Sequence, residues 1–390
     1  MNSKSIGLET SCDVLIPPAI KAEVGADAIA MIRKSGMLNK EYALATDYGT
    51  NAEIVLKAGN NLFAGSAAAG PAIEGQHIAF GMLASQGAIA DMEYDWGWKA
   101  LVLDETLALQ GGDTVDMTSG KVLRTGRMRA KGITGTGVIA LISTGLASGY
   151  ISPPKINMPS GKLYLQDGIE FTEADLLEAG KAFGAIKAGQ KTLAEHAGIA
   201  LGDIPACYMA GAAGSCADPV KARDVGLIPA GTELVYQIGN TSLGLAVDLV
   251  LGDAKLWELQ EIADNTLHVA FSSSDIFKRN YIRELAFWSE GAKYPEERKS
   301  NALKIVKSAG NGTQRQIALD PTYHIPLQNC NACVDCVKKC PEGALELKER
   351  YFQLDLRKCQ GVSCLICEQA CKEFRLAERG EVETITKSRI

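Results

Sequence analysis

Eight of the eleven cysteines in this 390-residue chain fall between Cys330 and Cys371. Cys330, Cys333, Cys336 and Cys340 follow the spacing C-x2-C-x2-C-x3-C, with Pro341 next. Cys359, Cys364, Cys367 and Cys371 follow C-x4-C-x2-C-x3-C. In a reducing compartment, thiols this dense are metal ligands or redox groups rather than disulfide partners. Zinc sites favour two separated C-x2-C pairs, whereas successive x2 steps let one loop wrap three corners of an iron–sulfur cubane. The x3 step and the proline then turn the chain toward a second cluster. On that logic Cys330, Cys333, Cys336 and Cys371 hold one [4Fe–4S] cluster, and Cys340, Cys359, Cys364 and Cys367 hold the other.

A second chemistry is carried by glycine-bearing turns. Asp47-Tyr48-Gly49-Thr50-Asn51 lies between two strand-like runs, Tyr42 to Thr46 and Ala52 to Lys57. Backbone N–H groups and a hydroxyl there can face a phosphate, glycine permits the close approach, and a carboxylate can hold a magnesium–water shell. The same five residues also suit an ordinary hairpin turn. Ala210-Gly211-Ala212-Ala213-Gly214-Ser215 follows a strand and opens a helix, which suits a nucleotide lying on a helix N-terminus. Ile238-Gly239-Asn240-Thr241-Ser242 leads into a further helix. Gly132 to Gly137 is a small-residue turn before a helix, but it lacks the strong preceding strand and acidic partner of a dinucleotide fingerprint.

The elements that must position these residues come from a chain with 46% hydrophobic and 22% charged residues, a composition that excludes intrinsic disorder. The net charge of −6 argues against an electrostatically driven nucleic-acid binder. Met1 to Glu9 lacks the blocks of a secretory signal, and Val138 to Tyr150 is interrupted and too short to span a bilayer. A cytoplasmic protein with no membrane partner is expected. Periodicity predicts a helix from about Ile20 to Lys34, strands at 42–46, 52–57 and 62–67, and strands at Tyr94–Trp98 and Ala100–Leu103. Helices are predicted at about 134–147, 172–197, 218–224, 242–251, 255–263 and 274–287, with strands at Ile204–Met209 and near Leu201. The polar, glycine-bearing stretch at 308–322 reads as a linker between a large domain, 1–307, and a small cysteine domain, 323–390.

Residues 321–376 resemble the two-cluster bacterial-type ferredoxins, and the resemblance implies electron transfer. Two departures mark the second run: four residues, Gln360 to Ser363, stand where the first run has two, and Lys372 replaces the usual proline. Taken in order, the turns of the large domain resemble the α/β actin/Hsp70/sugar-kinase ATPase fold, built on an RNase H-like lobe. The set is closer still to the reductive activases of corrinoid proteins of the methylamine methyltransferase type. The pieces that carry it are Pro17 to Asp27, D-Y-G-T-N-A-E at 47–53, A-A-G-P-A-I-E-G at 68–75, G-I-T-G-T-G at 132–137, A-G-A-A-G at 210–214 and I-G-N-T-S at 238–242. By that resemblance Asp47 is catalytic, and Asp47, Gly49, Thr50 and Asn51 form the second phosphate-binding turn for ATP with magnesium. Gly211 and Gly214 then match the adenosine turn, and Gly239, Asn240, Thr241 and Ser242 match the second connecting segment. The family has an earlier half with its own D-x-G-T-T turn; none precedes Asp47 in the 46 residues upstream, so the later half of the ATPase is expected.

The function this implies is ATP-dependent reductive activation of a corrinoid protein of a methyltransferase system. Co(II) would be reduced to Co(I) by electrons from an external low-potential donor, relayed through the two clusters. Two other classes share some of the parts. One is a ferredoxin-type electron carrier with a non-hydrolysing docking domain. The other is an ATP-driven activator of a radical dehydratase, whose few cysteines share one cluster across a dimer, unlike the eight here. Cys12, Cys207 and Cys216 are expected to be small buried residues, and His77, His196, His268 and His324 to be structural or surface residues. Glu53 and Glu74 are expected to be solvated or capping carboxylates, and the Trp96–Trp98 pair to be core or interface.

Overall fold

The computed structural model describes residues 7, 12–69, 77–94, 96–287, 304–308, 314–318, 322–326, 333–341, 343–347, 351–355 and 366–370. Helix α1 (Ala26–Ser35) begins six residues later than the periodicity suggests. Backbone pairing of Lys21 with Val24 closes a tight turn there, and Gly25 takes the N-cap position. Strands β1 (Tyr42–Tyr48), β2 (Ala52–Ala58) and β3 (Asn61–Ala67) follow as an antiparallel meander. Asp47 is therefore the penultimate residue of a strand, and the turn itself is confined to Gly49, Thr50 and Asn51.

A second sheet comes next. β4 (Ala88–Tyr94), β5 (Trp98–Leu103), β6 (Leu109–Val115), β7 (Val122–Arg124) and β8 (Gly132–Ile133) lie in the order β7-β6-β5-β4-β8. The predicted strand at Tyr94–Trp98 is instead the apex of the β4–β5 hairpin, because Trp96 has a left-handed backbone, φ 56°, that breaks the ladder. Helix α2 (Gly135–Ala147) starts at Thr134, whose hydroxyl accepts from the Gly137 N–H at 3.0 Å. Two short hairpins, β9 (Ile151–Ser152) with β10 (Lys155–Ile156) and β11 (Lys162–Tyr164) with β12 (Glu170–Thr172), lead into α3 (Glu173–Ala197). Thr172 and Asp175 form its capping box.

The chain then returns to the first sheet through β13 (Ala206–Ala210), α4 (Gly211–Cys216), α5 (Pro219–Asp224) and β14 (Leu234–Gly239). The segment near Leu201 is a single 3-10 turn rather than a strand. Helices α6 (Thr241–Leu251) and α7 (Leu256–Asp264), strand β15 (Thr266–His268) and helix α8 (Asp275–Phe287) follow. β16 (Lys304–Ser308) and β17 (Gln314–Ala318) extend the sheet to eight strands, in the order β15-β3-β2-β1-β13-β14-β16-β17. β17 lies inside the stretch read as a linker; its backbone pairs with β16 despite a polar sequence, and pairing needs no apolar face at a sheet edge.

The two sheets begin alike. β1, β2 and β3 are antiparallel with β13 parallel to β1, and β4, β5 and β6 are antiparallel with β8 parallel to β4. In each, a helix follows the parallel strand. A lone later half was expected; the chain holds two sheets of matching winding. Alternation along the strands covers both faces of the large sheet. Ala43, Ala45, Val55, Tyr208 and Ile238 pack with α1, α6 and α7, whereas Leu44, Ile54, Leu56, Cys207 and Met209 pack with α3. Each buried leucine or isoleucine contributes about 2 kcal/mol.

The small C-terminal part contains β18 (Thr322–Pro326), α9 (Asp335–Lys338), β19 (Leu345–Leu347), β20 (Tyr351–Asp355) and α10 (Ile366–Ala370), with sheet order β18-β20-β19.

Helix α8 is pinned to α3 by charge as well as by packing. Phe271 lies where side chains at Gly65 of β3 and Gly189 of α3 would stand, and its ring stacks on Phe277 at 4.8 Å. Glu284, only 2% exposed, pairs with Lys187 at 3.0 Å and with Lys191, and Asn280 donates to Glu195 at 3.0 Å. Removing a buried carboxylate from between two lysines leaves both cations without their counter-charge. Glu284→Ala is expected to lower unfolding free energy by about 3 kcal/mol in chemical denaturation.

Candidate functional site

Strands β1, β13 and β14 run parallel, and their register aligns Asp47 with Ala210 and Ala210 with Gly239. The three turns singled out in the sequence therefore leave the sheet side by side at its carboxyl edge, where open α/β sheets bind ligands. Gly211 has φ 78°, and a Cβ there would overlap Asp47 Oδ1 and come within 3.1 Å of the Tyr48 carbonyl oxygen. At Gly214 a Cβ would stand 3.0 Å from the Tyr48 ring. Two glycines thus let α4 rest directly on the end of β1. Gln237 holds the far side of α4, its Nε2 donating to the carbonyls of Gly214 at 2.9 Å and Ala217 at 2.9 Å.

The β1–β2 turn is closed by the Gly49 N–H donating to the Asn51 carbonyl at 3.3 Å, with Thr50 and Asn51 exposed at its tip. Gly239, φ 71°, opens onto free space, since a Cβ there would meet no atom within 4 Å. Asn240 has a structural role as well. Its Oδ1 accepts from the Leu243 N–H at 2.9 Å, capping α6. Thr241 is buried beside it, and its Oγ1 has no hydrogen-bond partner among the described residues. An orphaned buried hydroxyl is costly unless a ligand completes it. This hydroxyl, the open space at Gly239 and the cradle over Asp47 fit a nucleotide with its metal.

The electrostatics were only partly foreseen. A hairpin centred on Thr50 places Asp47 directly opposite Glu53, so two carboxylates share one rung. Asp27, in the first turn of α1, adds a third. Burial first, then the charge on Asp27, push the Asp47 carboxyl up to about 6. The Glu53 carboxyl is pushed up to about 7 by burial, then by Asp27 and Asp47, against a hydrogen bond from Ser66 at 3.2 Å. Glu53 is buried rather than solvated, and the six-residue spacing across the turn was the signal for it. Like charges on one rung repel, and a divalent cation reverses that sign.

Helix α5 joins this edge to the second sheet. Lys221 Nζ is paired with Asp91 of β4 and donates to the Met92 carbonyl at 2.7 Å, while Asp224 accepts from Ser143 of α2 at 2.7 Å. The Tyr48 hydroxyl donates to the Leu227 carbonyl at 3.0 Å, fixing β1 to the loop after α5.

Of the eight clustered cysteines, Cys333, Cys336, Cys340 and Cys367 are described; Cys330, Cys359, Cys364 and Cys371 lie outside the described residues, as does Glu74. Cys336 on α9 and Cys367 on α10 are buried, and the two helices touch. The Ala344 N–H donates to Cys340 Sγ at 3.3 Å, the kind of contact that steadies a metal-bound thiolate. Among the described residues no three potential metal ligands converge. The isolated cysteines divide: Cys207 is buried, its thiol pushed up to about 12 by burial, whereas Cys12 and Cys216 are exposed, contrary to expectation. Neither sits on a sheet face, so neither is drawn into the core. His196 Nδ1 donates to the Thr192 carbonyl of its own helix, 2.8 Å away, and His77 is exposed.

The raised carboxyls set a pH dependence. The folded state binds protons at Asp47 and Glu53 more tightly than the unfolded chain. Their stabilisation is therefore complete below the usual carboxylate range and is lost as pH rises through about 6 and about 7. In magnesium-free buffer the melting temperature should fall across that window. Asp47→Asn should flatten the fall and abolish magnesium–nucleotide binding, both read by thermal-shift titration.

Residues 41–298 match the family model described as the C-terminal domain of RACo, the ASKHA domain. A protein of Methanosarcina barkeri, "[Co(II) methylated amine-specific corrinoid protein] reductase", is 40% identical over 386 residues, covering 91% of this chain and 71% of that protein. "Corrinoid activation enzyme RamQ" of Eubacterium limosum is 24% identical over 309 residues, covering 70% of this chain and 47% of that one. The solved structure titled "Reductive activator for corrinoid,iron-sulfur protein" superimposes with a TM-score of 0.59 at 25% identity, over 73% of this chain and 46% of that chain. The chain spans less than half the length of the last two. With its two sheets and the strand-edge site between β1, β13 and β14, the chain belongs to the family of the RACo C-terminal ASKHA domain.

Proposed function

We propose that this chain is an ATP-dependent reductive activator that returns the cobalt of a corrinoid protein from Co(II) to Co(I). The observation that carries the reading is the seating of Asp47 Oδ1 against Gly211 at the carboxyl edge of the sheet, with Gly239 and the unpartnered Thr241 hydroxyl beside it. The printed names of the relatives, a corrinoid protein reductase and a corrinoid activation enzyme, support it.

Asp47 and Glu53 would hold magnesium, with Asp47 in the catalytic position. The turn of Gly49, Thr50 and Asn51, closed by its own Gly49–Asn51 hydrogen bond, would lie against the phosphates. Gly211 and Gly214, by seating α4 against the end of β1, would set the turn beside which the adenosine lies, and Gly239 and Thr241 would complete the far wall, Asn240 acting through its cap on α6. A bound nucleotide supplies a conformational bias, because its affinity differs between two states of the protein. Reversing an equilibrium from 1:99 to 99:1 takes about 5.5 kcal/mol of differential affinity. Helix α5, tied to β4 and α2 through Lys221 and Asp224, is the element placed to carry that bias to the second sheet.

The cysteines would hold two [4Fe–4S] clusters in the small domain at 323–390, Cys330, Cys333, Cys336 and Cys371 around one and Cys340, Cys359, Cys364 and Cys367 around the other. Such clusters, when bound, supply one-electron transfer at low potential. The Ala344 N–H would stabilise the reduced form of the cluster held by Cys340. The large domain would take residues 1–307, with β17 reaching beyond it to the sheet edge. No described helix is long and apolar enough to cross a membrane, which accords with action in the cytoplasm on a corrinoid protein and an external electron donor.

The test is Co(I) formation in a purified corrinoid protein, followed by absorbance with and without ATP. Formation indifferent to ATP would replace this reading with that of an electron carrier. Cys336→Ala should lower iron content and Co(I) formation together. Asp47→Asn should keep its full iron content yet lose the ATP-dependent rate.

A further inference from the structure

The β4–β5 hairpin has features that the nucleotide edge does not use. Trp96 sits at its apex with φ 56°, a left-handed conformation that is unfavourable for a bulky residue. Its side chain is 90% exposed, so no internal packing offsets that backbone. Strain of this kind persists where function requires the residue. Tyr94, 70% exposed, packs edge-on against Trp98 with ring centroids 4.9 Å apart. Gly97 is needed between them, because a Cβ there would stand 2.6 Å from Leu123 Cδ1. Leu123, exposed on β7, the edge strand of this sheet, is the side chain that lies against Gly97. An apolar, aromatic surface thus runs from the hairpin tip to an open strand edge.

That surface has a charge. Residues 121–131 contain Lys121, Arg124, Arg127, Arg129 and Lys131 and no acidic residue, in a chain of net charge −6. Arg129 is committed to Asp113 at 2.8 Å and Asp167 at 3.1 Å. Lys121, Arg124 and Arg127 are exposed. Exposed aromatics and arginines are both enriched at binding hot spots. An acidic partner would be repelled by most of this protein and drawn to this segment.

We propose that the Trp96 hairpin and strand β7 dock a carboxylate-rich face of the corrinoid protein, an assignment that rests on the reading of the chain as a corrinoid activator. The tryptophan inserts into an apolar recess of the partner, and Arg124 and Arg127 meet its carboxylates. The position suits the role, because β4 also carries Asp91 and Met92, which grip Lys221 of α5. Partner and nucleotide edge are then joined through one strand and one short helix.

The experiment measures association of the full chain with a methylated amine-specific corrinoid protein in its Co(II) form by isothermal titration calorimetry at several salt concentrations. Glycine tolerates the backbone at position 96 and no internal contact is lost, so Trp96→Gly should keep or raise the melting temperature. It should nonetheless weaken association about tenfold or more. It should also raise the corrinoid-protein concentration needed for half-maximal reduction without lowering the maximal rate. Arg124→Glu with Arg127→Glu should weaken association and flatten its salt dependence. Unchanged affinity in Trp96→Gly, alongside normal ATP-dependent reduction, would overturn the docking assignment alone. Binding of a single-stranded oligonucleotide in place of the corrinoid protein would overturn it as well. Failure of the unaltered chain to form Co(I) with ATP would overturn the activator reading and the docking assignment together.

Discussion

The close approach of α4 to the end of β1 is the constraint on which the rest of the site depends. Parallel pairing of β1 with β13 brings the Ala210–Gly211 turn level with Asp47, and only a residue without a Cβ fits at 211. A side chain there would push either the carboxylate or the helix away. Moving the helix would break the hold of Gln237 on its carbonyls and alter the path into α5. One glycine therefore governs both the position of the Asp47 carboxylate and the direction of the element that leaves the site.

That arrangement is held against an electrostatic cost. Asp47 and Glu53 face each other across one rung in a partly dry region under the charge of Asp27, and burial raises both of their carboxyls toward neutrality. Without a cation the protein relieves the repulsion by keeping protons that exposed carboxylates would release. A magnesium–nucleotide complex would offer the same relief with a doubly charged ion and would displace those protons. Its binding would draw on that repulsion, and the core around the edge supplies the rigidity. Leu44, Ile54 and Leu56 on one face and Ala43, Ala45 and Val55 on the other leave β1 and β2 little freedom to splay.

Much of this was legible in residue spacing. The β1–β2 hairpin, the strand before Gly211, and helices α2, α3, α5, α6, α7 and α8 follow from apolar period and caps, because each signal is local. The failures occurred where a non-local term decided. The helix was drawn from Ile20, but Lys21–Val24 pairing closes the chain before Gly25. Tyr94 to Trp98 has strand-like composition, yet Trp96 turns the backbone left-handed, which no propensity scale favours. β17 has a linker's polarity and becomes a strand through its neighbour β16. Glu53 reads as a surface carboxylate until the hairpin register places it opposite Asp47.

The second sheet bears on how the two ends of the molecule communicate. Its strands repeat the winding of the first, but its hairpin apex carries aromatics where the first carries Gly49, Thr50 and Asn51. One apex suits phosphate, which needs small residues and free N–H groups. The other suits a protein surface, which needs large rigid side chains held outward. Between them lies α5, whose Lys221 can satisfy Asp91 only while α4 and α5 keep their present course. If α4 shifts when a nucleotide lies against this edge, Lys221 must follow it or leave a half-buried carboxylate without its counter-charge. The second outcome is costly in a low-dielectric setting, so β4 and the hairpin it carries are pulled along with the helix. A half-buried ion pair at such a joint converts a small displacement at one edge into a choice between two arrangements at the other.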